Sequence, residues 1–156
     1  MAIFAEISMK ILTRYFIYLS FKGTSYHGWQ LQPGSLTVQK MLNDAISTIL
    51  GEIISVTGAG RTDAGVHASF FCAHFDSLLP DLDKRKNLIF RLNRYLPPDI
   101  SVTGIRKVRP DANARFSAIS RTYMYRISRA KDPFGTETGW SVTGGLDIDA
   151  MHKADL

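Results

Sequence analysis

Asp63 and Arg61 stand two positions apart in the run Gly60-Arg61-Thr62-Asp63-Ala64-Gly65-Val66-His67, a carboxylate and a guanidinium in one short segment. A carboxylate on a rigid loop can act as nucleophile or proton acceptor, and a neighbouring guanidinium can clamp an anion. The residues on either side, Ile53 to Thr57 and Phe70 to Phe75, have the composition of core strands. A loop between two such strands is a stiff support for a reactive group, so Asp63 is the first candidate for chemistry. Glycines 58, 60 and 65 permit positive φ and close approach of a ligand to the backbone. The same composition also suits a plain tight turn, with Asp63 accepting local backbone hydrogen bonds and Arg61 a solvated charge.

Other chemistries find little support. Gly58-Ala59-Gly60 lacks the third glycine of a dinucleotide loop, because that position is Asp63. Histidines 27, 67, 74 and 152 show no metal-ligand spacing and the single Cys72 adds none, so no metal is expected. No serine sits in a G-x-S-x-G elbow. Two aromatic segments remain. In Tyr26-His27-Gly28-Trp29-Gln30, Trp29 is either a loop anchor or a substrate contact. In Arg121-Thr122-Tyr123-Met124-Tyr125-Arg126, two tyrosines on one strand face beside arginines would make a stacking platform for an unstacked base, or simply a packed core face.

At 156 residues the chain is one domain or slightly more, 45% hydrophobic and 21% charged, ordinary globular values. No apolar run approaches the length of about 20 residues that spans a membrane. The first eight residues lack a basic n-region and carry Glu6, so export is not expected and the location is read as cytoplasmic. Cys72 is expected to pack as a small apolar residue. The formal net charge of +5 hides a strong asymmetry. Residues 84 to 131 hold 13 of the 19 Lys and Arg but only Asp99 and Asp111 as acids, giving that window +11 and the rest of the chain −6. Such a bias indicates a polyanionic partner, with nucleic acid the commonest, or a solvated basic surface.

Alternation predicts a first strand over Arg14 to Lys22. Thr37 is placed to cap a helix whose Val38, Met41, Leu42, Ala45, Ile46, Ile49 and Leu50 form one apolar face, and Gly51 stops it. Strands flank the Asp63 loop. A second helix opens at Pro80-Asp81, turns Leu88, Ile89, Leu92, Tyr95 and Leu96 inward and Lys84, Arg85, Arg91 and Arg94 outward, and ends at Pro97-Pro98. Ile100 to Val108 reads as a fourth strand and Arg121 to Arg129 as a fifth. The expected fold is α+β: a ferredoxin-like split β-α-β-β-α-β, helices on one face of a mainly antiparallel sheet, plus an additional strand. Residues 1–13 read as an N-terminal extension, 14–145 as one domain, and 146–156 as a capped helix that stops short.

These motifs together resemble the TruA family of tRNA pseudouridine synthases. The run Gly60 to His67 matches the family's catalytic signature without a gap. Tyr26 to Gln30, Val38-Gln39, Ala114-Arg115-Phe116-Ser117-Ala118 and Arg121-x-Tyr123-x-Tyr125 match in order. The likeness runs from about Arg14 to the C-terminus. It implies a cytoplasmic, cofactor-free isomerase acting on uridines at about positions 38–40 of the tRNA anticodon stem-loop, usually as a homodimer. Asp63 would be the catalytic aspartate, Tyr123 would stack on the target uracil, and Arg61 would help to hold the nucleotide out of its helix. Arg121, Arg115, Trp29 and His67 are implied as secondary RNA contacts.

Two departures stand out: Lys22 replaces the family's usual Asp, and the family's second half, which closes the cleft, is not matched. The chain alone is therefore expected to have little or no activity. Two other readings stay open. One is a non-catalytic RNA-binding module of ferredoxin-like fold, although Ser69 to Asp76 lacks its aromatic signature. The other is an acyl-phosphate hydrolase with Arg61 as anion clamp, which leaves the basic window unexplained.

Overall fold

Tyr15, Ile17, Leu19 and Phe21 are buried along β1 (Thr13–Phe21), while the residues between them are half-buried. This period-2 burial marks a central strand with one face in the core. The computed structural model describes residues 12–133, 135 and 137–154, so most of the expected N-terminal extension lies outside the described residues. Two compact units divide between Ile119 and Ser120, inside the segment 14–145 expected as one domain.

In the first unit, α1 (Val38–Leu50) leads to a short β2 (Thr57–Gly58) and then to β3 (Ala68–Ser77). A 3-10 turn over Leu82–Lys84, α2 (Leu88–Tyr95) and β4 (Ile100–Lys107) follow. The sheet runs β2-β3-β1-β4 with every neighbouring pair antiparallel. Element order and strand order together form the split β-α-β-β-α-β arrangement of the expected α+β class.

Local chemistry explains α1. Thr37 Oγ1 accepts from the Lys40 N–H at 3.3 Å, and Gly51 closes the helix at φ 71°, donating to Ser47 O. Val38, Leu42, Ala45 and Ile46 turn inward onto the sheet face that carries Tyr15, Ile17, Leu19, Phe71, Ala73 and Phe75.

Other elements differ from expectation, each for a tertiary reason. The run before the Asp63 loop pairs as a strand only at Thr57–Gly58. Upstream, α1 side chains replace the ladder: Ser47 Oγ and Asn43 Oδ1 accept from the Ile54 and Val56 N–H groups at 2.9 Å each. Gln39 Nε2 donates to Val56 O at 2.6 Å. The second helix starts at Leu88 because Asp81 (φ 55°) and the extended Arg85 break the chain into a turn that sinks Leu82 into the core. Tyr95, expected to face inward, is 49% exposed, whereas Leu88, Leu92 and Leu96 are buried. Asn93 ties α2 to β4, with Nδ2 donating to Val102 O and Oδ1 accepting from the Val102 N–H.

The sheet's other face is more polar. Arg14 meets Asp76 through two hydrogen bonds of 2.8 Å and donates to Ala112 O, while the Ala114 N–H donates to His74 Nδ1 at 3.1 Å. Burial and the nearby Arg14 lower the His74 pKa, consistent with a neutral ring accepting that bond. Burial raises the Cys72 thiol to about 11, so it stays protonated.

In the second unit the expected fifth strand, Arg121 to Arg129, is corrected. Only β5 (Ile127–Ser128) is strand, paired in parallel with β6 (Trp140–Ser141) in a separate two-stranded sheet. Arg121 to Arg126 forms no strand, so Tyr123 and Tyr125 do not share a strand face. Helix α3 (Ile148–Ala154) begins as expected, with Asp147 Oδ1 accepting from the Ala150 N–H. Among the described residues no helix is long and apolar enough to cross a membrane.

Leu42→Ala should cost about 2–5 kcal/mol in denaturant unfolding, since the cavity opens in packed core. The Arg14 hydrogen bonds hold the Asp76 pKa below its ordinary 3.8. That contribution is present above about pH 4 and is lost as pH falls through the depressed value. Asp76→Asn should therefore destabilise by about 1 kcal/mol at pH 7, the partial exposure of the pair limiting the effect, and the gap from wild type should close in acid.

Candidate functional site

Two loops build the site, and neither is held by its own residues alone. The first runs from Gly23 to Gln30 between β1 and α1; the second, from Ala59 to His67, joins β2 to β3. The Trp29 N–H donates to Thr62 O at 3.2 Å, and the Gly65 N–H donates to Tyr26 O at 3.2 Å. The chain on both sides of Asp63 is thus bonded to the first loop. The Gly23 N–H donates to His67 Nδ1 at 3.0 Å, and the Ala59 N–H continues the β3 pairing to Cys72 O.

Contact around the loops is too close for a side chain at Gly23, Gly28 or Gly58. A Cβ on Gly28, whose φ is 79°, would lie 2.2 Å from Thr62 O. One on Gly58 would lie 2.5 Å from the Trp29 indole. Trp29 itself is 2% exposed, packed on Phe71 at 4.3 Å and Phe21 at 6.1 Å between ring centroids. Packed in this way, the buried indole anchors the first loop to the sheet. Tyr26 is buried too, and its hydroxyl donates to Asp99 Oδ1 at 2.6 Å. Burial and that carboxylate raise the phenol's pKa, so it remains a donor.

On this frame the Asp63 side chain is exposed. Its backbone carbonyl accepts from the Val66 N–H at 3.3 Å, closing the turn, and Gly65 takes up φ 80°. Among the described residues the carboxylate makes no hydrogen bond or ion pair, so it is not consumed in capping the turn. Arg61 is likewise exposed beside it, and Thr62 Oγ1 between them is buried without a hydrogen-bond partner among the described residues. An anchored backbone carrying an uncommitted carboxylate can deliver that group to an electrophile or a proton at low ordering cost.

His67 is half-buried, and its Nδ1 serves the loop contact. Arg115, in the segment after β4, is exposed with its guanidinium 5.7 Å from the Phe116 ring centroid. Tyr123 and Arg121 belong to the second unit, where Tyr123 is 66% exposed. Gln39 was missed as a positioning residue. Its Oε1 accepts from the Leu31 N–H at 2.7 Å, its amide reaches Val56 O, and its N–H donates to Trp29 O. Val38-Gln39 stood among the matching motifs, but a polar residue in the first turn of an apolar-faced helix did not by itself reveal this role. Among the described residues no three His, Cys, Asp or Glu side chains gather as a metal site.

Gly28→Ala should cost more than about 2 kcal/mol in thermal unfolding and abolish the slow exchange of the Trp29 N–H, because strain and clash coincide there. Gly34→Ala, at φ 73° with open space around it, should lose only about 1 kcal/mol and leave that N–H protected.

No family model matches the chain. It is, however, 51% identical over 143 residues to tRNA pseudouridine synthase A of Bacteroides thetaiotaomicron, which is 92% of this chain and 52% of that protein. Identity to the protein of the same name from Bacteroides fragilis is 49%, over 92% of this chain and 56% of the relative. To that of Myxococcus xanthus it is 41%, over 87% and 51%. The chain spans about half the length of the curated relatives it matches. With the anchored Gly60-to-His67 loop inside a match of this extent, the chain belongs to the TruA family of tRNA pseudouridine synthases.

Proposed function

We propose that this chain is the Asp63-bearing part of an isomerase that converts uridine to pseudouridine in tRNA, at about positions 38–40 of the anticodon stem-loop. The observation that carries the proposal is the exposed, uncommitted Asp63 carboxylate on a loop bonded at both ends to a second loop.

The reaction breaks N1–C1′, turns the base and forms C5–C1′; the C5 proton is released and N1 gains one. No electrons enter or leave, so the stoichiometry needs no redox cofactor. Asp63 has three chemically sound routes: attack at C1′ as glycosidase carboxylates do, addition to the base, or removal of a ribose proton. A uridine within a stem must first leave its stack, which costs a few kcal/mol. Arg61 holds the extruded nucleotide by its phosphate, and Tyr123 stacks on the uracil. Arg121 and Arg115 add backbone contacts, while His67 and Trp29 act by holding the loop. Because the relatives are about twice as long, this chain alone has little or no turnover, and the complete protein works in the cytoplasm as a homodimer.

Tritium release from tRNA labelled with [5-³H]uridine tests this directly. The chain extended to the length of its relatives should release tritium. Its Asp63→Asn variant should fall by about a thousandfold or more while keeping tRNA affinity. Arg61→Ala should reduce turnover more than binding. Bound tRNA with no release by the extended wild type would turn the assignment to a non-catalytic RNA-binding module. Brisk release by the present chain alone would refute its dependence on the missing length.

A further inference from the structure

A groove of about 510 Å³ lies between α1 and α2, lined by Thr48, Ile49, Phe90, Arg91, Arg94 and Tyr95. None of these residues belongs to the two loops around Asp63. Two of them are large aromatics left in solvent: Phe90 is 66% exposed and Tyr95 49%, with the Tyr95 hydroxyl 3.4 Å from Thr48 Oγ1. Phe90 has no packing role that would hold it there, since Leu88 and Leu92 already serve the core. The charge is one-sided. From Lys84 to Pro98 the chain carries Lys84, Arg85, Lys86, Arg91 and Arg94 and no acid. Lys84 pairs with Asp81, but among the described residues Arg91 and Arg94 form no ion pair.

We infer that this groove binds the ribose-phosphate backbone of RNA, Arg91 and Arg94 each meeting a phosphate and Phe90 stacking on an unpaired base. Guanidiniums interleaved with exposed aromatics are the combination that grips flexible RNA without reading its sequence. A second copy of the chain is a poor occupant for a two-fold contact, because it would set Arg91 and Arg94 against their own equivalents. The inference rests on the tRNA reading for the identity of the RNA, and it adds a binding surface separate from the Asp63 loop.

The test uses the chain and its extended form with fluorescently labelled, unmodified tRNA transcript, titrated between 50 and 200 mM salt. Arg91→Gln/Arg94→Gln should bind about tenfold or more weakly at 0.1 M salt, and the slope of log affinity against log salt should fall by about 1.5 to 2. Phe90→Ala should weaken binding about tenfold with the slope unchanged. Unfolding midpoints near wild type would show that these exposed changes leave the fold intact. Unchanged affinity and slope in the double variant would overturn the groove while leaving the isomerase assignment standing. Tritium release lost from the wild type, with groove-dependent binding retained, would do the reverse. A change of sedimentation in place of a change in RNA affinity would make the groove a protein interface and also overturn the inference, as would absence of RNA binding by the wild type.

Discussion

Everything the site can do depends on two backbone hydrogen bonds between loops far apart in sequence, Trp29 N–H to Thr62 O and Gly65 N–H to Tyr26 O. They bracket Asp63 and leave its side chain available. A loop of this composition, left alone, would be expected to fold its carboxylate back onto neighbouring N–H groups. Here the turn closes through the Asp63 carbonyl, and the first loop engages the flanking backbone.

That pairing in turn relies on packing. The Trp29 indole fills the space over Gly58 and lies against Phe71 and Phe21, so the first loop is fastened to the sheet by one aromatic cluster. Gln39 joins the same assembly from α1, reaching the first loop and the segment before β2 with one side chain. Tyr26 adds a link to Asp99 at the entry to β4. The Asp63 carboxylate is exposed, yet each support beneath it is buried or hydrogen-bonded, which is how a loop can be both accessible and rigid.

Charge and chemistry are distributed differently over the chain. The carboxylate comes from a segment with little basic character, whereas the cations gather in α2 and beyond β4. A division of this kind suits an enzyme whose substrate is a polyanion much larger than the bond it changes. Binding energy gathered away from the reacting atoms can then offset the cost of extruding a base.

Sequence by itself determined the features governed by neighbours a few residues away. Thr37 and Gly51 bound α1 because capping is a matter of three or four residues. Alternation revealed β1, and the placement of the Asp63 loop between β2 and β3 followed from the flanking apolar runs. The candidate carboxylate was legible for the same reason, as a compact motif. Tertiary structure alone decided the rest. Ile53 to Val56 had strand composition, but Asn43, Ser47 and Gln39 took the hydrogen bonds a ladder would have used. Leu82 was drawn into the core and broke the second helix into a turn and a shorter α2. Arg121 to Arg126 alternated like a strand, yet strand pairing begins only at Ile127. Trp29 went inward because Gly58, 29 residues away, left room for its ring. Strand pairing and aromatic burial depend on partners distant in the chain, and local periodicity carries no information about whether those partners arrive.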